Sequence, residues 1–424
     1  MHKSFDIVII GAGACAGFFT AFMNAGGFSG KLRVLIIEKL SKPFKKIAAS
    51  GNGRCNYSNE SISPRDYISI KPDRSFESVF FDKIKSFDFK GYLNDNLIYS
   101  RSDEYGRLFP FTNSAKTMTG FLETNLLCSG FETLFDTACR GVERPREGGM
   151  FKIKCENVKT GEKLSVESAA LVFACGGAAY PQLGTDGSAF EIIKKTGHTF
   201  TGAAPSICAL ETPAGPLHKL GGIKLEARLK YKDFERTGEI LFTDYGISGP
   251  NALYLSPHVS RDLYAGKKVR VSIDFLPVPA LSPDYFTSKA GCQNEYLNLD
   301  LFSGVFNRDF LKAFFRDSGF IIEMCSKESA VKIHSALKNY ETDILRVRPF
   351  NEAQVSLGGV CCGEIDPHTL ESRLVKNLYF AGEVIDYTGG CGGYNIHQAA
   401  VCARILSESL VAAFGVKTGV KRNN

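Results

Sequence analysis

Phe5-Asp6-Ile7-Val8-Ile9-Ile10, then Gly11-Ala12-Gly13-Ala14-Cys15-Ala16-Gly17, then Val34-Leu35-Ile36-Ile37-Glu38 set the frame for the whole chain. The first run is short, apolar and β-branched, as a strand buried on both faces must be. Glycines follow at once, residues 18–23 have helical character, and the second apolar run ends on an acid. Strand, glycine turn, helix, strand, carboxylate is the order of a dinucleotide-binding βαβ unit. Gly11 permits a tight exit from the strand. Gly13 lets backbone N–H groups reach a pyrophosphate, and the helix N-terminus adds unpaired donors and a positive dipole end. Glu38 is placed to accept hydrogen bonds from adenosine ribose hydroxyls. The third glycine position holds Ala16, with Gly17 one step later; alanine suffices where helix and strand need only close contact.

With 424 residues the chain is long enough for two or three domains, and 33 phenylalanines supply ample core. No run approaches the ~18 apolar residues of a membrane span, and no basic leader with a cleavage site opens the sequence. The 13 cysteines are odd in number, sit mostly among apolar residues and include no C-x-x-C spacing. That pattern predicts buried thiols in a reducing compartment, hence the cytoplasm, with neither a disulfide framework nor a metal site. The net charge of +6 is scattered. No basic stripe with interleaved aromatics is visible, so a small-molecule substrate is expected rather than nucleic acid or a membrane. Oligomeric state is not fixed by the sequence.

Lys42, Lys45, Lys46 and Arg54 cluster after Glu38 and predict a cationic rim for cofactor phosphates. Residues 50–56, Ser-Gly-Asn-Gly-Arg-Cys-Asn, read as a glycine-hinged loop in which Arg54 and Asn56 fix a phosphate and a ring edge. Helices are expected within 60–100 and over 114–127. Residues 131–135, 151–155 and 163–166 alternate like a meander, divided by a charged turn at 143–149. Residues 169–174 form another buried strand, which opens into Cys175-Gly176-Gly177 and then a helix over 188–195. Strands at 225–234, 238–242 and 269–275, a loop at 243–250, a helix start at 251–256, breaks at Pro277, Pro279 and Pro283, and helices over 297–325 and 328–337 describe an insertion. The sheet domain resumes near Glu352. Residues 378–383 form a strand ending in Gly382-Glu383, a turn over 386–393 leads to a closing helix, and 417–424 is a polar tail.

Glycine turns at the start, middle and end of the chain imply one long ligand. FAD fits, with adenosine and pyrophosphate at the first unit and the isoalloxazine near the last. No second G-x-G-x-x-G follows another strand, so any NAD(P)H binds transiently.

Gly11-Ala-Gly13, Ser50-Gly-Asn-Gly-Arg-Cys-Asn56, Ala174-Cys-Gly-Gly177 with Tyr180-Pro181 and Gly184, Gly238-Glu-Ile-Leu-Phe-Thr243 with Gly246-Ile-Ser-Gly-Pro250, and Tyr379-Phe-Ala-Gly-Glu383 with Gly392-Gly-Tyr-Asn395 together resemble the HI0933-like flavoprotein family. Its members are labelled aminoacetone oxidase-like or NAD(P)/FAD-dependent oxidoreductases. The resemblance implies an α/β fold: a Rossmann-like, glutathione-reductase-type FAD-binding domain with inserted β-barrel-like and helical domains. We assign 1–203 and 351–424 to the first, 204–280 and 338–350 to the second and 281–337 to the third. It also implies that Gly11, Gly13, Glu38, Arg54, Asn56, Gly176, Gly177, Gly382, Glu383 and Asn395 line FAD. Their neighbours Ala12, Ala14, Cys15, Ala16, Lys39, Lys46, Gly53, Cys55, Ala174, Gly393 and Tyr394 complete the expected site.

The expected chemistry is FAD-dependent: two-electron hydride transfer through flavin N5 on a small organic substrate, as an NAD(P)H-linked reductase. The alternatives are an amine oxidase using oxygen, or a flavoprotein in RNA modification or redox sensing. No catalytic residue stands out. His397, Tyr180 and Asp386 are the candidates, with Asp186, Asp244, Tyr245 and Tyr394 also in glycine-rich loops. Cys55 and Cys391 are near the expected cofactor, but lone thiols of this kind are more often buried and inert.

Overall fold

β1 (Lys3–Ile10), α1 (Ala14–Ala25) and β2 (Val34–Ile37) form the expected βαβ unit in the computed structural model, which describes residues 3–146, 149–278, 281–290 and 297–416. Part of the turn at 143–149, Pro279 and the tail 417–424 lie outside the described residues. β1 has a parallel partner on each side: Ile10 pairs with Ile37 of β2 and with Phe173 of the strand Lys163–Phe173. α1 starts four residues earlier than its apolar pattern suggests. A Cβ on Gly17 would stand 2.7 Å from the Phe44 ring and 3.1 Å from Leu122, so this glycine lets the first turn pack tightly.

The strands after the first unit are rearranged relative to expectation. Glu132–Leu134 joins the parallel edge beside β2 instead of a meander. Asp136, in the left-handed region at φ 52°, turns the chain into Thr137–Glu143, a strand the alternation pattern had missed. The meander is Thr137–Glu143, Phe151–Asn157 and the first half of Lys163–Phe173. That last strand was expected as two. It is continuous, because its partner changes partway along: Ser168 closes the antiparallel pairing with Phe151, and Leu171 opens a parallel pairing with Leu378 of Leu378–Phe380.

By contacts the chain divides into Met1–Ala204 with Val355–Asn424, and Pro205–Gln354. The second unit is a seven-stranded antiparallel sheet with helices, sharing one core that includes Phe242, Phe275, Phe310, Phe314 and Ile333. The ends of its strand order, Tyr340–Ile344 and Arg346–Val347, are almost contiguous in the chain, so the sheet curls round in barrel fashion. The expected loop at 243–250 contains the short strand Gly246–Ser248 and the start of the helix Gly249–Tyr264. The stretch 297–325 holds two helices, Asn298–Phe302 and Arg308–Ser318; Asn307 caps the second and Gly319, at φ 74°, ends it. No helix among the described residues is long and apolar enough to cross a membrane.

In the first unit the closing helix Tyr394–Ala413 packs against α1. Its first turn is fixed by His397. The ring sits edge-on to Phe87 and Phe89, Nε2–H donates to the Ile84 carbonyl (3.1 Å) and Nδ1 accepts from the Ser58 hydroxyl (2.6 Å). A neutral imidazole satisfies both contacts. Burial drives its pKa down to about 4, only partly opposed by the Ile84 carbonyl. An unfolded histidine takes its proton near pH 6.5, well before the folded one does. Stability therefore falls as the pH drops through this window, by about 3 kcal/mol. Urea unfolding should show that loss in the wild type, whereas H397Q should be weaker near neutrality but lack that part of the pH slope. Equal slopes in the two proteins would remove this account of His397.

Candidate functional site

Five parallel strands end at one edge of the first unit's sheet: β1 at Gly11, β2 at Glu38, Glu132–Leu134 at Phe135, Lys163–Phe173 at Ala174 and Leu378–Phe380 at Ala381. In open α/β sheets ligands bind outside this edge. Gly11 sits at φ +102°, and a Cβ there would lie 2.6 Å from the Ala174 carbonyl oxygen; only glycine fits. A cleft opens at the edge, lined by Gly11, Glu38, Lys39, Gly176, Gly177 and Gly184. Thr137, Ala138 and Cys139 complete its wall. Sequence reasoning missed these three because their strand went unrecognised.

α1 begins at this edge. Its N-cap, Gly13, makes no side-chain capping bond, and the first turn carries no acid. A Cβ on Gly13 would meet nothing within 4 Å, so open space adjoins the N-cap of a helix whose first-turn N–H groups have no intrahelical partner. An uncapped, acid-free helix start beside a bare glycine fits a pyrophosphate. These residues therefore fit the diphosphate of FAD. The closing helix, with Gly393 at its N-cap, likewise has no side-chain cap and no acid in its first turn.

The charged side chains are engaged with the same turns. Glu38 accepts from the N–H groups of Ala12 (2.8 Å) and Leu40 (2.9 Å) and so braces the glycine turn. Each carboxylate oxygen keeps a lone pair for a ribose hydroxyl. Lys46 pairs with Glu383 at 2.8 Å, and the other oxygen of Glu383 accepts from the N–H of Ser356 (3.0 Å). A Cβ on Gly177 would clash with Ser356 and Glu383, so this network closes over bare backbone. Lys39 pairs with Asp186 at 2.6 Å. Burial raises the Asp186 carboxyl, but Lys39 and Ser188 outweigh it and hold the group below the ordinary range.

The loop 50–56 begins where the helix Lys45–Gly53 breaks: Ser50 is extended, and Gly51 and Asn52 are left-handed. Arg54 lies over the Phe109 ring at 4.9 Å and donates to the Gly51 carbonyl. Gly53 has open space around it. Cys55 is buried, and desolvation pushes its thiol up to about 12, so it is not a thiolate at neutral pH. With its amide set by its neighbours, Asn56 donates to the Ser58 carbonyl (2.9 Å) and accepts from the Gly393 N–H (3.2 Å). It ties this loop to the start of the closing helix. Asn395 folds back on its own turn, accepting from the Gly389 N–H (2.9 Å) and donating to the Gly389 carbonyl (2.6 Å). Tyr394 is buried, and its carbonyl accepts from the Tyr67 hydroxyl. Gly382 adjoins Cys15, a buried thiol that desolvation also raises.

The catalytic candidates scatter. Asp386 is fully buried and accepts from the N–H groups of Ile70 and Lys71, both at 2.8 Å; burial raises its carboxyl and those two donors oppose the shift. Like His397, it fastens chain segments together. Tyr180 is half-buried in a left-handed turn near Gly184. Cys391 is half-buried in the turn before the closing helix. Asp244 and Tyr245 belong to the second unit, where Arg348 lies 4.3 Å over the Tyr245 ring.

Residues 5–409 match the HI0933-like protein Rossmann domain. The chain is 29% identical to the 3-dehydro-bile acid delta(4,6)-reductase of Clostridium scindens, over 93% of this chain and 96% of that one. It is 30% identical to the ribosomal RNA dihydrouridine synthase of Escherichia coli, over 97% and 99%. Among solved structures, the 3-ketosteroid delta1-dehydrogenase of Sterolibacterium denitrificans shares the fold, with a TM-score of 0.53 at 12% identity over 97% of this chain and all of that one. The chain belongs to the HI0933-like family of FAD-dependent oxidoreductases.

Proposed function

We propose that this enzyme is a reductase, fed by transiently bound NADH or NADPH, that saturates a carbon–carbon double bond conjugated to a carbonyl. The observation that carries this reading is the uncapped α1 start beside Gly13, which suits a dinucleotide, at the edge of a chain similar end to end to two enzymes named for saturating double bonds. A bile acid delta(4,6)-reductase and a dihydrouridine synthase share that step. FAD, when bound, supplies the two-electron transfer. The chain supplies the grip: α1 N–H groups for the diphosphate, Glu38 for the ribose, and the acid-free start of the closing helix, which favours negative charge beside it. The second unit's sheet is antiparallel throughout and offers no βαβ unit for a resident nicotinamide, in keeping with transient binding. Buried free thiols accord with a cytoplasmic enzyme.

Two experiments test this. G13D places an acid in open space at a helix N-cap, where it should strengthen the helix by a few tenths of a kcal/mol. The same charge should repel the diphosphate, so the variant should melt no lower than the wild type without FAD yet retain little FAD on reconstitution. Full FAD retention would displace the cofactor from α1. Anaerobic mixing of the reconstituted wild type with NADH or NADPH should bleach the flavin absorption within a catalytic cycle. A flavin that neither nicotinamide bleaches would refute the reductase reading.

A further inference from the structure

Cys139 and Cys155 face each other across the antiparallel strands Thr137–Glu143 and Phe151–Asn157. Residues paired in this way put their side chains on the same face of the sheet. Hydrogen bonds at the end of the ladder fix its phase. The Val158 N–H donates to the Asp136 carbonyl (2.7 Å), and on the other side of the same strand the Asn157 N–H donates to the Glu162 carbonyl (2.8 Å). Bonded and non-bonded pairs alternate along an antiparallel ladder. Asp136 with Val158 and Ala138 with Glu156 are therefore bonded pairs, and Cys139 with Cys155 is a non-bonded one. In a non-bonded pair the Cα atoms are about 4.5 Å apart and the side chains are at their closest. That separation lies within the range of about 4.4–6.8 Å that a disulfide spans.

The two thiols differ in access. Cys139 is half-buried and lines the cleft at the strand edge, in company with Glu38 and Gly176, whereas Cys155 is buried. Cys175 also lines that cleft, but its thiol is turned to the Gly176 carbonyl. Burial pushes the Cys139 thiol up to about 11 and the Cys155 thiol up to about 12, the latter raised further by Cys139 beside it. Neither is a thiolate at neutral pH, so both react slowly and only under sustained oxidant. We propose that Cys139 and Cys155 form an oxidisable dithiol, which hydrogen peroxide closes to a disulfide when the cleft is empty and which FAD in the cleft shields. The Cys139 sulfur, reached through the cleft, attacks the peroxide O–O bond, becomes a sulfenic acid and releases one water. The Cys155 sulfur then displaces the sulfenic hydroxyl as a second water. The S–S bond forms, both thiol protons leave in the two waters, and the two electrons lost by the dithiol reduce the peroxide. The bridge closes a short loop between neighbouring strands, so it steadies the cofactor-free chain until FAD returns. Closure does not depend on the reductase reading; the shielding depends on FAD occupying this cleft.

The test exposes the full chain, stripped of FAD or reconstituted with it, to hydrogen peroxide, blocks the remaining thiols with iodoacetamide and maps the peptides by mass spectrometry. Flavin occupancy is read from the visible absorption. The flavin-free chain should yield a peptide pair joined through Cys139 and Cys155, which dithiothreitol separates, and should melt higher than its reduced form. With FAD at about ten times its dissociation constant, closure should slow about tenfold, because only the unoccupied fraction reacts. C155S should stall at a Cys139 sulfenic acid that dimedone traps, and C139S should leave Cys155 reduced. The absence of the joined pair after prolonged exposure would overturn the proposal, as would a bridge from Cys139 to Cys175 in its place. Closure as fast at full flavin occupancy as in the flavin-free chain would overturn the shielding. A shielded dithiol beside a flavin that no nicotinamide bleaches would sink the reductase reading alone.

Discussion

The first unit depends on how closely β1 and the strand Lys163–Phe173 come together where they end. A single methyl group at Gly11 would be pushed into the Ala174 carbonyl. Because that methyl is absent, the two strands stay paired to their last residues, Ile10 against Phe173. The turns that follow, one from the start of the chain and one from its middle, then share a rim. Leu378–Phe380 pairs on the far side of Lys163–Phe173 and brings Glu383 to Lys46. One glycine thus joins the start of the chain to its middle, and one ion pair joins segments more than three hundred residues apart. That convergence is what a long, thin ligand requires, and no single segment of the chain provides it.

What the sequence disclosed follows from how local each signal is. The βαβ unit was legible because its strand, glycine turn and acid fall within a few dozen residues, each with its own physical requirement. The glycine turns at 176–177 and 382–383 were legible for the same reason. The strand Thr137–Glu143 was not, because its entry depends on a left-handed aspartate whose turn has no strong sequence mark. Glu167 and Ser168 resembled a break, yet they lie where a strand exchanges an antiparallel partner for a parallel one, a change visible only in three dimensions. His397 and Asp386 sit in glycine-rich surroundings that suit catalysis. Their partners, Ser58, Ile84, Ile70 and Lys71, lie hundreds of residues away and make them fasteners instead. Asn56 and Asn395 lie in the expected stretches, but in the structure their side chains hold the backbone in place.

The pattern of helix caps ties the cofactor to stability. Among the described residues, six helices start on a side-chain cap: Asp73, Asp88, Ser114, Ser282, Asn307 and Ser326 each accept from a first-turn N–H. α1, which begins at the strand edge, and the closing helix have glycine there and no first-turn acid. Each omission forgoes the few tenths of a kcal/mol by which a serine or aspartate cap exceeds glycine. The helix Gly249–Tyr264 also lacks such a bond, so the omission alone does not mark a site. What sets α1 apart is the open space at Gly13. A diphosphate bound there acts as the missing cap. Since a ligand that binds only the folded state stabilises it by about 4 kcal/mol at a thousandfold excess over its dissociation constant, occupancy more than restores what the bare helix start gave up. The strand edge is therefore left uncapped in the polypeptide, and a cofactor bound there would complete its folding as it equips it for chemistry.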